Sequence, residues 1–181
     1  MSRTQIAVLV AAAVIVFWMV GAYNRLVALR NALGEAWQHV DEALRRRGEA
    51  VAELVAGLRE PLAAEQGALE ALLHAERLVR SAADALATRP VMSTLAAALV
   101  NAESAMAAAL ARVQSLVEQS ADLRGHESVV PALAVLADSA TRLPFARQLF
   151  NEAAQAYNAA ARQFPTRLLT RLYGFGTAGR L

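Results

Sequence analysis

Cysteine is absent, which excludes disulfides, thiolate nucleophiles, cysteine metal ligands and a lipid-modified cysteine anchor. Lysine is absent too. The 18 basic residues are all arginine and face 16 acidic ones, giving a net charge of only +2. The pI of 9.6 reflects the arginines rather than a strongly basic surface. No nucleic-acid-binding signature accompanies this charge, so nucleic acid is not an expected partner. Proline and glycine are sparse, at 5 and 9 of 181 residues. Few breakers leave room for long helices, and no period-two alternation bounded by turn residues suggests a strand. A Gly-rich phosphate loop, a nucleophile elbow and a zinc motif are all missing. Serines and threonines are scattered singly. No catalytic constellation emerges, so neither an enzyme nor a cofactor is expected.

What the chain does have is an uncharged apolar run from Ile6 to Ala22, IAVLVAAAVIVFWMVGA. As a helix it measures about 26 Å, within reach of a hydrocarbon core of about 30 Å. Trp18 and Tyr23 sit near its end, where amphipathic rings favour the headgroup level. Arg3 and Arg25 bracket it and can snorkel. Residues 1–24 therefore read as a single-pass membrane anchor, with Ile6, Trp18 and Ala22 in the span. The alternative is a signal peptide cleaved after Val20-Gly21-Ala22, which would release a secreted or periplasmic protein. Continuity favours the anchor: Leu26, Leu29, Leu33, Trp37, Val40 and Leu44 follow at steps of three and four without a breaker. Arg25, Arg30 and Arg45 to Arg47 follow the span and only Arg3 precedes it. That bias places the body on the cytoplasmic side.

Four helices are expected. The first runs from about Thr4 to Gly57, with Val51, Leu54 and Leu58 extending its apolar stripe. A turn at Leu58–Pro61 leads to a second helix, about Pro61 to Ala87, with Leu62, Leu69, Leu72, Val79, Ala83 and Leu86 on one face. Thr88-Arg89-Pro90 ends it. The third, about Val91 to Ala121, carries Leu95, Leu99, Ala102, Met106, Val113 and Val117. A loop from Asp122 to Pro131 precedes the fourth, about Pro131 to Gln163. Its period is the cleanest: Leu136, Ala140, Leu143, Arg147, Phe150, Ala154, Tyr157, Ala161 and Phe164. Pro144 inside it predicts a kink. The expected fold is all-α: a transmembrane helix continuing into a long antiparallel up-down four-helix bundle over residues 25–165, packed like a coiled coil. Residues 166–181 form a separate tail.

Such bundles can hold di-iron sites, but the needed Glu-x-x-His pairs are missing. Glu35 with His39 and Glu70 with His74 are four apart and read as surface pairs. His126 falls in the loop. The Arg45–Arg47 run reads as a solvated face beside Asp41 and Glu42. No metal site is expected.

The fourth helix repeats an aromatic and its follower every seven residues: Phe150-Asn151, Tyr157-Asn158 and Phe164-Pro165. Ala146-Arg147 precede them, and Leu168, Gly174 and Phe175 follow. This resembles the C-terminal signature of the LemA family. Tyr23-Asn24, Leu29-Arg30-Asn31, Ala36-Trp37, Leu44 and Arg46-Arg47 resemble the family's opening pattern. The likeness spans nearly the whole chain. It departs at Ala50–Val55, where a proline and an asparagine are missing, at Ser120–Leu123, at Ala140, and at Pro144. The resemblance implies a membrane-anchored helical bundle without established catalysis. It also suggests a bacterial inner membrane or an internal one, such as the magnetosome membrane of some members.

Three expectations follow. First, Phe150, Tyr157 and Phe164 share one heptad slot and should line the seam, with each Asn bonding across a helix pair. Second, Arg147 occupies an apolar slot and needs a carboxylate. Counting from the membrane end offers Asp41 or Glu42 on the first helix, or Glu76 on the second. Third, the tail returns to the bilayer surface. Its Leu168, Leu169, Leu172, Tyr173 and Phe175, with Arg167, Arg171 and Arg180, suit either the headgroup region or a cap on the bundle core. The function read from all this is structural, scaffolding or interaction at a lipid bilayer, with other membrane or peripheral proteins as partners. The alternative is a small-ligand or peptide-binding bundle.

Overall fold

The computed structural model describes residues 2–164, 166–167 and 176–181. Among the described residues the fold is all-α and has no strand. Helix α1 spans Arg3–Leu58, 56 residues without interruption, or about 84 Å. Ser2 starts it with a capping box. The Gln5 amide N–H donates to Ser2 Oγ at 3.3 Å, and the Ser2 N–H donates to Gln5 Oε1 at 2.8 Å. This satisfies two donors that a helix start leaves orphaned.

Helices α2 (Gln66–Thr88), α3 (Ser93–Gln119), α4 (Ala121–Arg124) and α5 (Val129–Arg162) follow. The second helix begins later than Pro61 because Ala63–Glu65 form a 3-10 turn first. The Gln66 side chain donates to the Arg59 carbonyl at 2.7 Å and braces that turn. The expected long loop contains the short α4, and α5 starts at Val129, two residues before Pro131. Helix α5 continues through Pro144.

Buried apolar residues recur at helical spacing on each long helix. In α1 they are Leu26, Leu33, Trp37, Val40, Leu44, Val51, Leu54 and Leu58; in α5, Leu136, Leu143, Phe150, Ala154, Tyr157 and Ala161. Helix α1 lies along α5 and also against α2, and α2 lies along α3. Helices α3 and α5 hardly approach each other. Matching positions on α1 and α5 run in opposite numerical order. Trp18 meets Phe164, Trp37 meets Phe150, Arg46 faces Asp138, and Gly57 abuts Ser128 just before α5.

The first third of α1 is different. Its most apolar 18-residue window has a mean hydropathy of 2.5, and none of it is buried by the rest of the protein. Helices α3 and α5 are also long and apolar enough to cross a membrane by composition, but 22% and 33% of their windows are buried within the fold.

Candidate functional site

The α1 stripe advances by four and three: Leu33, Trp37, Val40, Leu44, Arg47, Val51, Leu54, Leu58. Arg47 holds a core slot, with its side chain only 15% exposed. The same rhythm in α3 reads Ala96, Leu99, Glu103, Met106, and in α5 it reads Leu143, Arg147, Phe150. Three charged residues therefore meet at one level. Glu103 is 8% exposed and uses both carboxylate oxygens. Arg47 Nη2 donates to Oε1 at 3.0 Å, and Arg147 Nη2 donates to Oε2. Burial pulls the Arg47 guanidinium below its ordinary value, and the nearby Glu103 carboxylate opposes this. Glu76 completes the level from α2. A Cβ at Gly48 would meet Glu76 Oε1 at 2.5 Å, so the glycine makes room for that carboxylate.

This corrects two expectations. The partner of Arg147 is Glu103 on α3, not Asp41, Glu42 or Glu76. Asp41 instead accepts from Arg80 at 2.5 Å, and Arg80 also binds Asp84. Burial opposes charge on Arg80, but the bonds to these two carboxylates raise its pKa. The Arg45–Arg47 run is not uniformly solvated: Arg45 and Arg46 are exposed, while Arg47 turns inward.

The two asparagines do not bond across helices. They hold the backbone of residues 176–181. Asn158 Nδ2 donates to the Ala178 carbonyl at 2.8 Å, and its Oδ1 accepts the Ala178 N–H at 2.9 Å. Asn151 treats Leu181 the same way, with both bonds at 2.8 Å. Tyr157 Oη donates to the Gly176 carbonyl at 3.3 Å. The register has a simple origin. Seven residues of helix rise about 10.5 Å, and three residues of extended chain cover about 10 Å.

On the opposite side, this segment lies against the start of α3. A Cβ at Gly179 would meet Ala96 Cβ at 2.6 Å and Ser93 Cα at 2.9 Å; one at Gly176 would meet the Val91 carbonyl oxygen at 2.9 Å. The segment thus spans the gap that α3 and α5 leave open. It runs away from the apolar end of α1, so Arg180 stands beside Asn151 and Glu152 rather than at that end.

Of the expected aromatic seam, Phe150 and Tyr157 are fully buried. Phe150 meets Trp37 edge-on, with ring centroids 5.9 Å apart. Burial pushes the Tyr157 hydroxyl above its ordinary value, partly offset by Arg30. Phe164 departs from the seam: it is 66% exposed and packs on Trp18, with ring centroids at 5.2 Å. Ile6 and Trp18 are exposed on the apolar third of α1, and Ala22 is half-buried at its end. Pro165, Gly174 and Phe175, and the amphipathic stretch 168–175, lie outside the described residues. No cluster of His, Cys, Asp or Glu suited to a metal occurs among the described residues.

A family model matches residues 36–180, a stretch that takes in the charged layer and nearly all of the C-terminal segment. The chain belongs to the LemA family. No curated protein matches it. In this LemA-family chain Arg147 binds Glu103, and Asn151 and Asn158 bind the C-terminal backbone. Sequence reasoning missed Glu103, Arg47, Gly176, Ala178, Gly179 and Leu181. Slot counting carried a signal for the first two, since each falls where the four-three rhythm demands a core residue.

Proposed function

We propose that this protein is a non-catalytic, membrane-anchored structural or interaction module. In this reading the four long helices form an antiparallel up-down bundle standing on its own transmembrane segment. The observation that carries it is the apolar third of α1. Its most apolar window is wholly unburied by protein, yet it continues without a break into the buried stripe that starts at Leu26. Exposing that much apolar surface to water is unfavourable at about 25 cal/mol per Å², and a bilayer removes the problem. The opposed numbering of α1 and α5 partners supports the up-down arrangement. The uninterrupted course of α1 through Ala22 supports retention of the segment over cleavage.

The contact of Phe164 with Trp18 brings the end of α5 to the level of the anchor. Arginines after the span outnumber the single Arg3 before it, which favours the bundle on the cytoplasmic side. Two experiments test the reading. Full-length chain is expected to stay in the membrane pellet through alkaline carbonate, while a chain lacking residues 1–22 enters the supernatant with its helical spectrum intact. Retention of the truncated chain in the pellet would overturn the anchor. Digestion of the bundle by protease added to intact spheroplasts would overturn the cytoplasmic side.

A second reading, a small-ligand-binding bundle, is favoured by one observation. An open cleft separates α3 from α5 just past Leu181.

A further inference from the structure

The cleft between α3 and α5 encloses about 390 Å³, within the range of small-molecule sites. Its walls are mostly apolar, with Val100, Met106 and Leu110 on one side and Leu136 and Leu143 on the other, and one serine on each, Ser104 and Ser139. Its polar end is the Arg47–Glu103–Arg147 cluster.

The charged groups there are unevenly used. Both Glu103 oxygens already accept from arginine, whereas two guanidinium groups share that single carboxylate. The Nε atoms of Arg47 and of Arg147 are buried without a hydrogen-bond partner. Those Nε atoms are closed off from the cleft as well as from solvent, but with both Glu103 oxygens committed the charged residues lining the cleft offer donors rather than acceptors. Glu76 approaches the cluster from α2 and does not line the cleft. Burial lowers the Arg47 pKa and the neighbouring Arg147 cation adds to this, against the pull of Glu103 and Glu76.

We propose that this cleft binds a single-chain carboxylate amphiphile, its head on Arg147 and Arg47 and its chain along Met106, Leu110 and Leu136. The ligand comes from solution, not from the bilayer. Arg47 lies 25 residues beyond Ala22 on one continuous helix, about 37 Å from the end of the apolar run. A lipid seated in the membrane does not reach that height.

The test uses the full chain in non-ionic maltoside micelles, with octanoate, octanol and octyltrimethylammonium as probes, followed by calorimetric titration and thermal melting. Octanoate binds and raises Tm; the alcohol and the cation bind at least tenfold more weakly. R147Q weakens octanoate at least tenfold. Because R147Q also disturbs the buried cluster, A140W serves as the independent variant. Ala140 is exposed and lines the cleft, so an indole there fills the space and leaves the arginines in place. A140W is expected to abolish octanoate binding with its Tm near the parent's. Equal binding of octanoate and octanol overturns the proposal, since the arginines then contribute nothing. So does unchanged octanoate binding in A140W, which assigns it to the micelle or the anchor.

Discussion

From Ile6 to Ala22, α1 carries apolar side chains on every side; from Leu26 to Leu58, the same helix buries its large ones along a stripe. The first part presents Phe17 at 77% exposure and Val8 at 67%, and the second buries Leu33, Val51, Leu54 and Leu58 completely. Total hydropathy separates these regions less well than its distribution does. Helices α3 and α5 also pass a spanning threshold on average, yet 22% and 33% of their windows are buried within the fold, against none in α1. An all-round apolar helix needs an apolar solvent, whereas a striped one needs only a neighbour.

The comparison can be broken most forcefully where charge interrupts the stripe. Glu103→Ala leaves the buried Arg47 and the half-buried Arg147 without the carboxylate that binds both, with only Glu76 near Arg47. It is expected to cost about 3–5 kcal/mol, the range for breaking a buried pair. Thermal melting followed by circular dichroism measures it. A triple replacement, Arg47→Leu with Glu103→Leu and Arg147→Met, should lose far less. A triple variant weaker than Glu103→Ala would show that the layer contributes net stability rather than register.

Next in size is the contrast between the halves. Leu54→Ala should cost about 2–5 kcal/mol through lost burial and a residual cavity. Leu9→Ala should move bundle stability by less than about 0.5 kcal/mol, as for a site away from packed protein. Equal losses would mean the N-terminal third is packed against protein after all.

Smaller is Asn158→Ala. It removes two hydrogen bonds to Ala178, each worth about 1 kcal/mol. The specific readout is amide exchange at Ala178, which should accelerate while amides in the middle of α1 keep their protection. Unchanged exchange at Ala178 would show that packing of Gly176 and Gly179 on α3 suffices to hold the segment.

Smallest is a pH effect at Tyr157, whose hydroxyl is held protonated above its ordinary value of 10.0 by burial. The folded state then binds more protons than the unfolded one above that pH. Stability contributed by this group is full below pH 10 and is lost as pH rises through the folded value. Tyr157→Phe should flatten the alkaline limb of the stability profile, and an unaltered limb assigns the loss to other groups.

Much of the fold was legible in the sequence because helical spacing is a local signal. The stripe from Leu26 to Leu58 and the alternation from Leu136 to Ala161 follow directly from 3.6 residues per turn. Arg147 was legible as a charge in an apolar slot. Its partner was not, because Glu103 adjoins Ala102 and either could have marked the face of α3. Arg47 was hidden by its neighbours: in a run of three arginines, only the rhythm from Leu44 to Val51 singles it out. Phe164 keeps the heptad spacing of Phe150 and Tyr157 but lies past the helix end at Arg162, where spacing no longer fixes direction. The asparagine contacts were the least legible, since their partners are backbone groups and carry no side-chain signature.

The unbroken course of α1 also has a mechanical side. Leu58 lies 36 residues beyond Ala22 on the same helix, about 54 Å away. In the anchored arrangement proposed above, that helix would act as a lever pivoting at the membrane surface. A typical spanning tilt of about 20° displaces its far end sideways by about 18 Å.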